Sequence, residues 1–367
     1  MWLALATVPG LGPASFALLL RLFGTPDQVF RQSAMAEEAL VAHGYSRARA
    51  AAVVRGLERA DPAACVIRGD FIILPDREYP ELLRQTATPP PVLFLRGRRD
   101  GLAGPAVAVV GSRHPTHYGA SVARSLAREL AAAGITVVSG LARGIDAEAH
   151  RSALEAGGRT VAVLGCGVDR CYPPEHEYLC REIESAGAVV SELPWGAPPV
   201  AANFPRRNRI IAGMSLATVV VEAGEKSGAL ITANQALEEN RLVGAVPGSV
   251  FSPLSEGTHK LLKDGAILVR SARDVIEELA ALLPSSTFTA GRVSSGRTVC
   301  RAGDGGGGGG EGDGLAAVLQ AVGFTPVHAD ALAVQLDLPA REVSAVLFEL
   351  ELDGLVRRLP GGYYVRT

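Results

Sequence analysis

The sequence predicts an α/β protein built on a doubly wound parallel sheet, with small modules on either side, and three observations carry that reading. First, from residue 106 to 270, short apolar runs at 107–110, 135–138, 160–164, 188–190, 218–221, 243–246 and 266–269 alternate with segments of helical spacing such as 121–133 and 146–156. Runs that are apolar throughout are what strands covered on both faces look like, and βα alternation is the pattern of an open parallel sheet. Second, glycines close the helical segments, where a chain stops and turns back. Third, Ser285-Ser286-Thr287 and the run Gly305 through Gly310 read as a linker that separates a last small module.

The flanks follow the same logic. Residues 1–60 read as helical, with Leu18, Leu19, Leu20, Leu22 and Phe23 on one helix and Val53, Val54 and Leu57 on another. Val8-Pro9-Gly10-Leu11-Gly12 is similar to the hairpin of a helix–hairpin–helix, which offers backbone N–H groups to DNA phosphates; a small helical domain that only reuses the turn fits equally well. After the linker, 315–322, 329–336 and 341–352 read as three helices, and 356–359 with 363–365 as a hairpin around Pro360-Gly361-Gly362. Three helices and a wing make a winged-helix plan.

Composition narrows the function classes. With 367 residues, 48% of them hydrophobic and 20% charged, the chain buries a sizeable core and divides into two or three domains. A net charge of −2 argues against a polyanion held by a global field, so any nucleic acid is gripped by a local patch. Five cysteines, Cys65, Cys166, Cys171, Cys180 and Cys300, include no C-x-x-C pair, which argues against zinc and suits free thiols in a reducing cytosol. The apolar start lacks a basic lead and is broken by Pro9 through Pro13, and no uncharged run is long enough for a membrane span.

The most informative segment is 203–213, Asn-Phe-Pro-Arg-Arg-Asn-Arg-Ile-Ile-Ala-Gly. A proline just ahead of a helix start is well placed, so Arg206, Arg207, Asn208 and Arg209 are expected on a first helical turn, where guanidinium groups and free amides together hold phosphate; a solvated basic turn is the plainer alternative. The strand ends repeat the theme with Gly111-Ser112-Arg113, Ser139-Gly140-Leu141-Ala142-Arg143-Gly144-Ile145-Asp146, Gly165-Cys166-Gly167-Val168-Asp169, Ser191-Glu192, and Glu222-Ala223-Gly224 running into Ser227-Gly228. Ligands of open α/β sheets bind outside the carboxyl ends of the strands, so these loops form a track for a phosphodiester backbone. Gly224, Ser227 and Gly228, ahead of a helix, fit one phosphate. Tyr172 and Trp195 either stack bases beside that track or fill the loops' own cores.

Rival chemistries find less support. The chain lacks G-x-G-x-x-G after its first strand and lacks a Walker GK[ST] ending, so no dinucleotide or P-loop cofactor is expected. Asp146, Asp169, Glu192 and Glu222 lie near the sheet edge, yet no triad order or metal-ligand spacing can be read among them; Asp146 is expected to cap the helix that carries His150. No catalytic residue, metal or cofactor is assigned.

Taken in this order and spacing, the strings from Gly111-Ser112-Arg113 to Ala245-Val246-Pro247-Gly248 resemble the DNA-processing protein A family (DprA, also called Smf) over 106–270. The resemblance implies a Rossmann-like DNA-binding domain over 66–284, an N-terminal SAM-like helical domain over 1–65, a flexible linker over 285–314 and a winged-helix domain over 315–367. It implies a cytoplasmic, non-catalytic protein that binds single-stranded DNA, protects incoming strands in natural transformation and helps load RecA, acting as a homodimer. The family's basic positions fall on Arg113 and on Arg206 through Arg209, with Gly111, Ser112, Ser139, Gly140 and Phe204 beside them; Arg143 is added from its loop. Its dimer contact falls around 235–265, with His259 and Leu262 as candidates. A nucleotide-processing enzyme of the phosphoribohydrolase type, or a small-nucleotide sensor, is the alternative on this sheet, although the PGGxGTxxE loop of such enzymes is missing. The winged-helix segment departs from a DNA reader: Glu342, Glu349 and Glu351 on its expected recognition helix repel phosphate, so a protein partner or the dimer mate is expected there.

Overall fold

The computed structural model describes residues 1–61, 69–282, 312–323 and 326–366. Cys65, Cys300 and nearly all of the expected linker lie outside them. Among the described residues, 1–61, 69–114 and 123–282 form one unit, and the last helices and strands belong to a second.

The larger unit opens with five helices: α1 (Trp2–Ala6), α2 (Pro13–Phe23), α3 (Pro26–Arg31), α4 (Ser33–Ala42) and α5 (Arg47–Arg59). Their own core joins Leu5, Phe16, Leu19, Val29, Leu40, Val53 and Leu57. Gly10 makes the hairpin turn at φ +82, and Pro13 opens α2 where a missing N–H costs nothing. On α1, Leu3 reaches out of this core to Val92, Phe94 and Val168 of the sheet region.

The sheet region runs β1 (Asp70–Ile73), α6 (Glu81–Arg84), β2 (Val92–Gly97), β3 (Ala106–Val110), α7 (His117–Ala132), β4 (Thr136–Ser139), α8 (Ile145–Glu155), β5 (Thr160–Val163), α9 (Glu177–Ala186), β6 (Ala188–Ser191), α10 (Asn203–Gly213), β7 (Ala217–Val220), α11 (Gly228–Glu238), β8 (Leu242–Ala245), α12 (Glu256–Lys263), β9 (Ile267–Leu268) and α13 (Ala272–Leu282). The nine strands are ordered β1-β2-β6-β5-β4-β3-β7-β8-β9. All neighbours from β6 to β9 are parallel, whereas β1 and β2 add an antiparallel edge that the βα pattern did not announce. Alternate residues of one strand serve the two faces. Val161 and Val163 meet Ile210 and Ile211 of α10, while Ala162 meets Ala147 of α8 and Ile183 of α9. Every residue of β3 through β7 is therefore buried, which is why those runs carry no charged residue and are apolar apart from Thr136, Ser139, Thr160, Ser191 and Thr218.

The turn from α9 into β6 depends on glycine. A Cβ on Gly187 would lie 2.0 Å from the Thr160 carbonyl oxygen, a backbone atom of β5. Gly187→Ala is expected to destabilise the larger unit by about 3 kcal/mol, the upper end of overpacking costs. Urea unfolding measures it, and a loss below about 0.5 kcal/mol, the range of neutral surface changes, contradicts the close approach.

In the second unit, α14 (Gly312–Ala321), β10 (Val327–His328), α15 (Ala329–Leu336), α16 (Ala340–Leu352), β11 (Val356–Leu359) and β12 (Tyr363–Arg366) surround Val318, Leu332, Val343, Leu347, Leu350 and Val365 or their neighbours. Helix α14 takes in residues 312–314, which the sequence assigns to the linker. The sheet order β10-β12-β11 adds a short strand to the expected hairpin and completes a winged helix. Helix α16 exposes Arg341, Glu342, Phe348, Glu349 and Leu352.

Candidate nucleic-acid interface

Strand order reverses between β3 and β7: β4, β5 and β6 lie on one side of β3, and β7, β8 and β9 on the other. The loops that leave β3 and β7 must part there, and an open α/β sheet holds its ligand in the crevice between them. A cleft of about 710 Å³ occupies this place, lined by Gly111-Ser112-Arg113, by Phe204, Pro205, Arg207 and Asn208 of α10, and by Gly224 through Ala229.

The loop after β3 is held close by its glycine. A Cβ on Gly111 would fall 2.7 Å from Ile145 Cγ1 and 3.0 Å from the Glu222 carbonyl oxygen. Ser112 accepts the Ile145 amide on its carbonyl at 3.1 Å and the His114 amide on its hydroxyl at 3.1 Å, so the turn is rigid before Arg113. Arg113 is exposed at the cleft and makes no ion pair among the described residues.

On the opposite wall Ser227 caps α11, its hydroxyl accepting the Ala229 amide at 3.3 Å, and Gly228 begins the helix with open space where a side chain would stand. The Asn208 amide group donates to the Gly228 carbonyl at 3.4 Å and ties α10 to this turn. Lys226 stands exposed beside Glu225 at the same edge. It is a cation the sequence analysis did not assign, and the available signal was one of only three lysines directly ahead of Ser227-Gly228.

Helix α10 starts at Asn203, so Pro205 is its third residue and the basic run lies past the first turn. The expectation of one phosphate-binding cluster on the first helical turn is corrected. Arg206 is exposed and without an ion pair among the described residues, but it does not line the cleft. Arg207 turns inward and is 95% buried. Its guanidinium donates to the Gly140 carbonyl at 2.9 Å and to the Val163 carbonyl, its Nε donates to Asn208 Oδ1 at 3.2 Å, and it lies 5.9 Å from the Phe204 ring centre. It joins the ends of β4 and β5 from within. Arg209 pairs with Glu192 and donates to the Thr88 carbonyl at 2.7 Å, away from the cleft. Arg143 is exposed but paired with Glu175, and it too lies off the cleft.

Ser139 and Gly140 serve the same internal frame. The Ser139 hydroxyl, fully buried, donates to the Val109 carbonyl at 2.7 Å. A Cβ on Gly140 would meet the Arg207 guanidinium at 2.6 Å and Asp146 Oδ2 at 2.8 Å, so only glycine lets the two charged groups pass. Asp146 is not the helix cap expected of it, since Gly144 holds that position. Its carboxylate accepts the Gly140 and Ala142 amides at 3.1 and 3.3 Å. Burial raises the Asp146 carboxyl above its ordinary value, with Arg207 pulling the other way; burial likewise brings Arg207 down to about 10, where it stays a cation at neutral pH. The Phe204 ring centre lies 5.2 Å from that of Tyr172, the planes tilted by 44°, and a Cβ on Gly165 would sit 2.8 Å from the Phe204 ring; both aromatics line the cleft. Trp195 packs with Val92, Phe94 and Val168 instead.

His150, on α8, is fully buried. Thr160 donates its hydroxyl to the Val137 carbonyl at 2.7 Å, so the contact of 2.7 Å between Thr160 Oγ1 and His150 Nδ1 requires the Nδ1–H tautomer. Nε2 has no partner among the described residues. Burial, then the charges of His176 and Arg207, push this imidazole down to about 3. A depressed folded value means the unfolded chain binds the proton first, so stability present above about pH 6.5 is lost as pH falls towards 3. Between pH 7 and 5 the protein is expected to lose about 2 kcal/mol more than His150→Leu does. Parallel unfolding curves for the two proteins would contradict this.

His259 and Leu262 lie on α12, both half-buried: His259 Nε2 is 3.1 Å from the Gly248 carbonyl oxygen, and Leu262 rests against the central core. Among the described residues no group of three or more His, Cys, Asp or Glu is placed to hold a metal ion, and no helix is long and apolar enough to cross a membrane.

Residues 70–280 match the family model described as DNA recombination-mediator protein A, and residues 311–362 match the DprA winged helix domain. The chain is 34% identical to Protein Smf of Synechocystis sp. over 100% of its own length and 98% of that protein's. It is 45% identical to the DNA processing protein DprA of Streptococcus pneumoniae over 57% of this chain and 73% of that one. The X-ray structure of the Streptococcus pneumoniae protein superposes with a TM-score of 0.67 at 35% identity, covering 76% of this chain and 95% of that chain. A structure of DNA processing protein A from Helicobacter pylori, solved for its single-stranded DNA binding mode, superposes with a TM-score of 0.53 at 28% identity over 59% of this chain and 99% of that one. With both its central sheet and its winged helix matched, the chain belongs to the DNA recombination-mediator protein A family.

Proposed function

We propose that the switch-point cleft binds the sugar–phosphate backbone of single-stranded DNA and that the protein acts as a recombination mediator. The observation that carries this is the placement of two exposed cations, Arg113 and Lys226, with no ion pair among the described residues, on the loops after β3 and β7 of a cleft also lined by Phe204 and Tyr172. Cations position a backbone, and aromatic rings accept bases of any sequence. Ser112 and the Ser227-Gly228 turn supply hydroxyl and amide donors, and Arg206 extends the positive charge outside the cleft. Among the described residues the carboxylates in the lining are Asp146, engaged by two amides, and Glu225; this favours a non-catalytic role over the phosphoribohydrolase alternative. In this reading the protein protects incoming strands in the cytoplasm during natural transformation and helps load RecA. It pairs with a second copy through 235–265, including His259 and Leu262, and its acidic α16 serves a protein contact and not duplex DNA.

A gel shift with matched single- and double-stranded oligonucleotides, with and without RecA, tests the proposal. Sequence-tolerant preference for the single strand and a joint complex with RecA are expected. Equal affinity for both forms, or a thermal shift with mononucleotides but none with oligonucleotides, overturns it.

A further inference from the structure

The hairpin near the start of the chain takes no part in the cleft, and it lies along a basic helix. Gly10 turns the chain at φ +82. Three close approaches seat this turn on α5. A Cβ on Gly56 would meet Val8 Cγ1 at 2.7 Å and Pro9 Cδ at 3.3 Å, one on Gly10 would meet Val53 Cγ2 at 3.6 Å, and one on Gly12 would meet an Arg49 guanidinium nitrogen at 3.8 Å. The hairpin therefore runs back along α5, from Gly56 beside its start to Arg49 beside its end. A groove of about 460 Å³ lies between them, and its lining includes Thr7, Pro9, Ala52, Arg55, Gly56 and Arg59.

Four of the 13 residues of α5 are arginines: Arg47, Arg49, Arg55 and Arg59. All four are exposed and make no ion pair among the described residues. The one carboxylate of α5, Glu58, does not line the groove. Arg55 and Arg59 stand about one turn apart, roughly 6 Å along the helix axis, and Arg49 lies about 15 Å from Arg59 along it. The Gly10 amide, exposed at the turn, makes no hydrogen bond among the described residues.

We propose that this face of the helical module is a second DNA-binding site, separate from the switch-point cleft, which grips the phosphates of one strand and takes duplexes and single strands alike. A row of guanidinium groups suits a chain of regularly spaced anions, because each is a fork for phosphate oxygens, and the turn adds an amide donor. About 15 Å is the rise of roughly four nucleotides in one strand of a duplex. No aromatic ring among the described residues lines the groove, and Tyr45 ahead of α5 is covered by Arg49, whose guanidinium carbon lies 5.2 Å from the ring centre. Without a platform for an unpaired base, the contact is made through the backbone, which both forms of DNA present. A single strand reaches the cleft as well, so it remains the tighter ligand of the whole protein.

Fluorescence anisotropy of the full-length protein with a labelled blunt duplex, over a range of salt concentrations, tests this. Arg55→Glu combined with Arg59→Glu is expected to weaken duplex binding by roughly tenfold or more. Arg55→Ala combined with Arg59→Ala is expected to flatten the duplex salt slope by about 1.8, the increment for two phosphates. Arg55→Lys combined with Arg59→Lys keeps both point charges and should keep the wild-type slope. A wild-type duplex slope in the alanine variant, no duplex binding by the wild-type protein at low salt, or a lysine variant that loses as much as the alanine one overturns the proposal. The duplex measurements read this site, and the single-strand loss in Arg113→Glu reads the cleft, so either assignment can fail alone.

Discussion

Arg207→Ala is expected to destabilise the larger unit by about 3–5 kcal/mol, the usual result of leaving a buried opposite charge without its partner. The Gly140 and Val163 carbonyls lose their donor, and Asp146 keeps a buried carboxylate with no cation across Gly140. Lysine is not expected to restore the loss in full, because an ammonium that replaces the nitrogen shared by both carbonyls leaves no second donor, corresponding to Nε, for Asn208 Oδ1. Removing the acid as well should recover part of it. Asp146→Asn combined with Arg207→Ala is expected to cost about 1–3 kcal/mol less than the sum of the two single changes. Urea titration measures these values. A variant that unfolds like wild type but loses DNA affinity with a shallower salt dependence shows the guanidinium facing the ligand and refutes the internal role.

Arg113→Glu is the second large effect, and it falls on binding rather than stability. The side chain is exposed with no ion pair among the described residues, so unfolding free energy should change by no more than about 0.5 kcal/mol. Losing one charge-assisted phosphate contact is worth about 1.5–3 kcal/mol, and so weakens single-strand affinity by roughly ten- to a hundredfold. The milder Arg113→Ala should flatten the salt slope by about 0.7, the increment for one phosphate of a single strand. Fluorescence anisotropy over a range of salt concentrations reads both. Arg143→Ala is the control, since its guanidinium is paired with Glu175 off the cleft, and unchanged affinity is expected. Equal losses at 113 and 143 would move the binding surface away from the switch point.

The sheet was legible because burial on both faces leaves a simple trace: strands β3 through β8 are short, mostly apolar runs without a charged residue. The glycine-rich strand ends were legible for a related reason, since glycine is needed where backbones crowd, as Gly111 and Gly140 show. Strands β1 and β2 were missed. The run Val92-Leu93-Phe94-Leu95 is as apolar as the others, but it sits outside the βα alternation, and only its pairing with β6 makes it part of the sheet.

What the sequence determined by itself was the α/β class, the family, and which loops gather at the carboxyl ends of the strands. These depend on local pattern and order along the chain. What the tertiary structure decided was which cations face a ligand. Adjacent helix residues point about 100° apart, so Arg206, Arg207 and Arg209 meet solvent, the ends of β4 and β5, and Glu192 in turn. A row of basic letters records the charges; the neighbours on each side of the helix determine whether a charge stays free, is paired or holds the frame together.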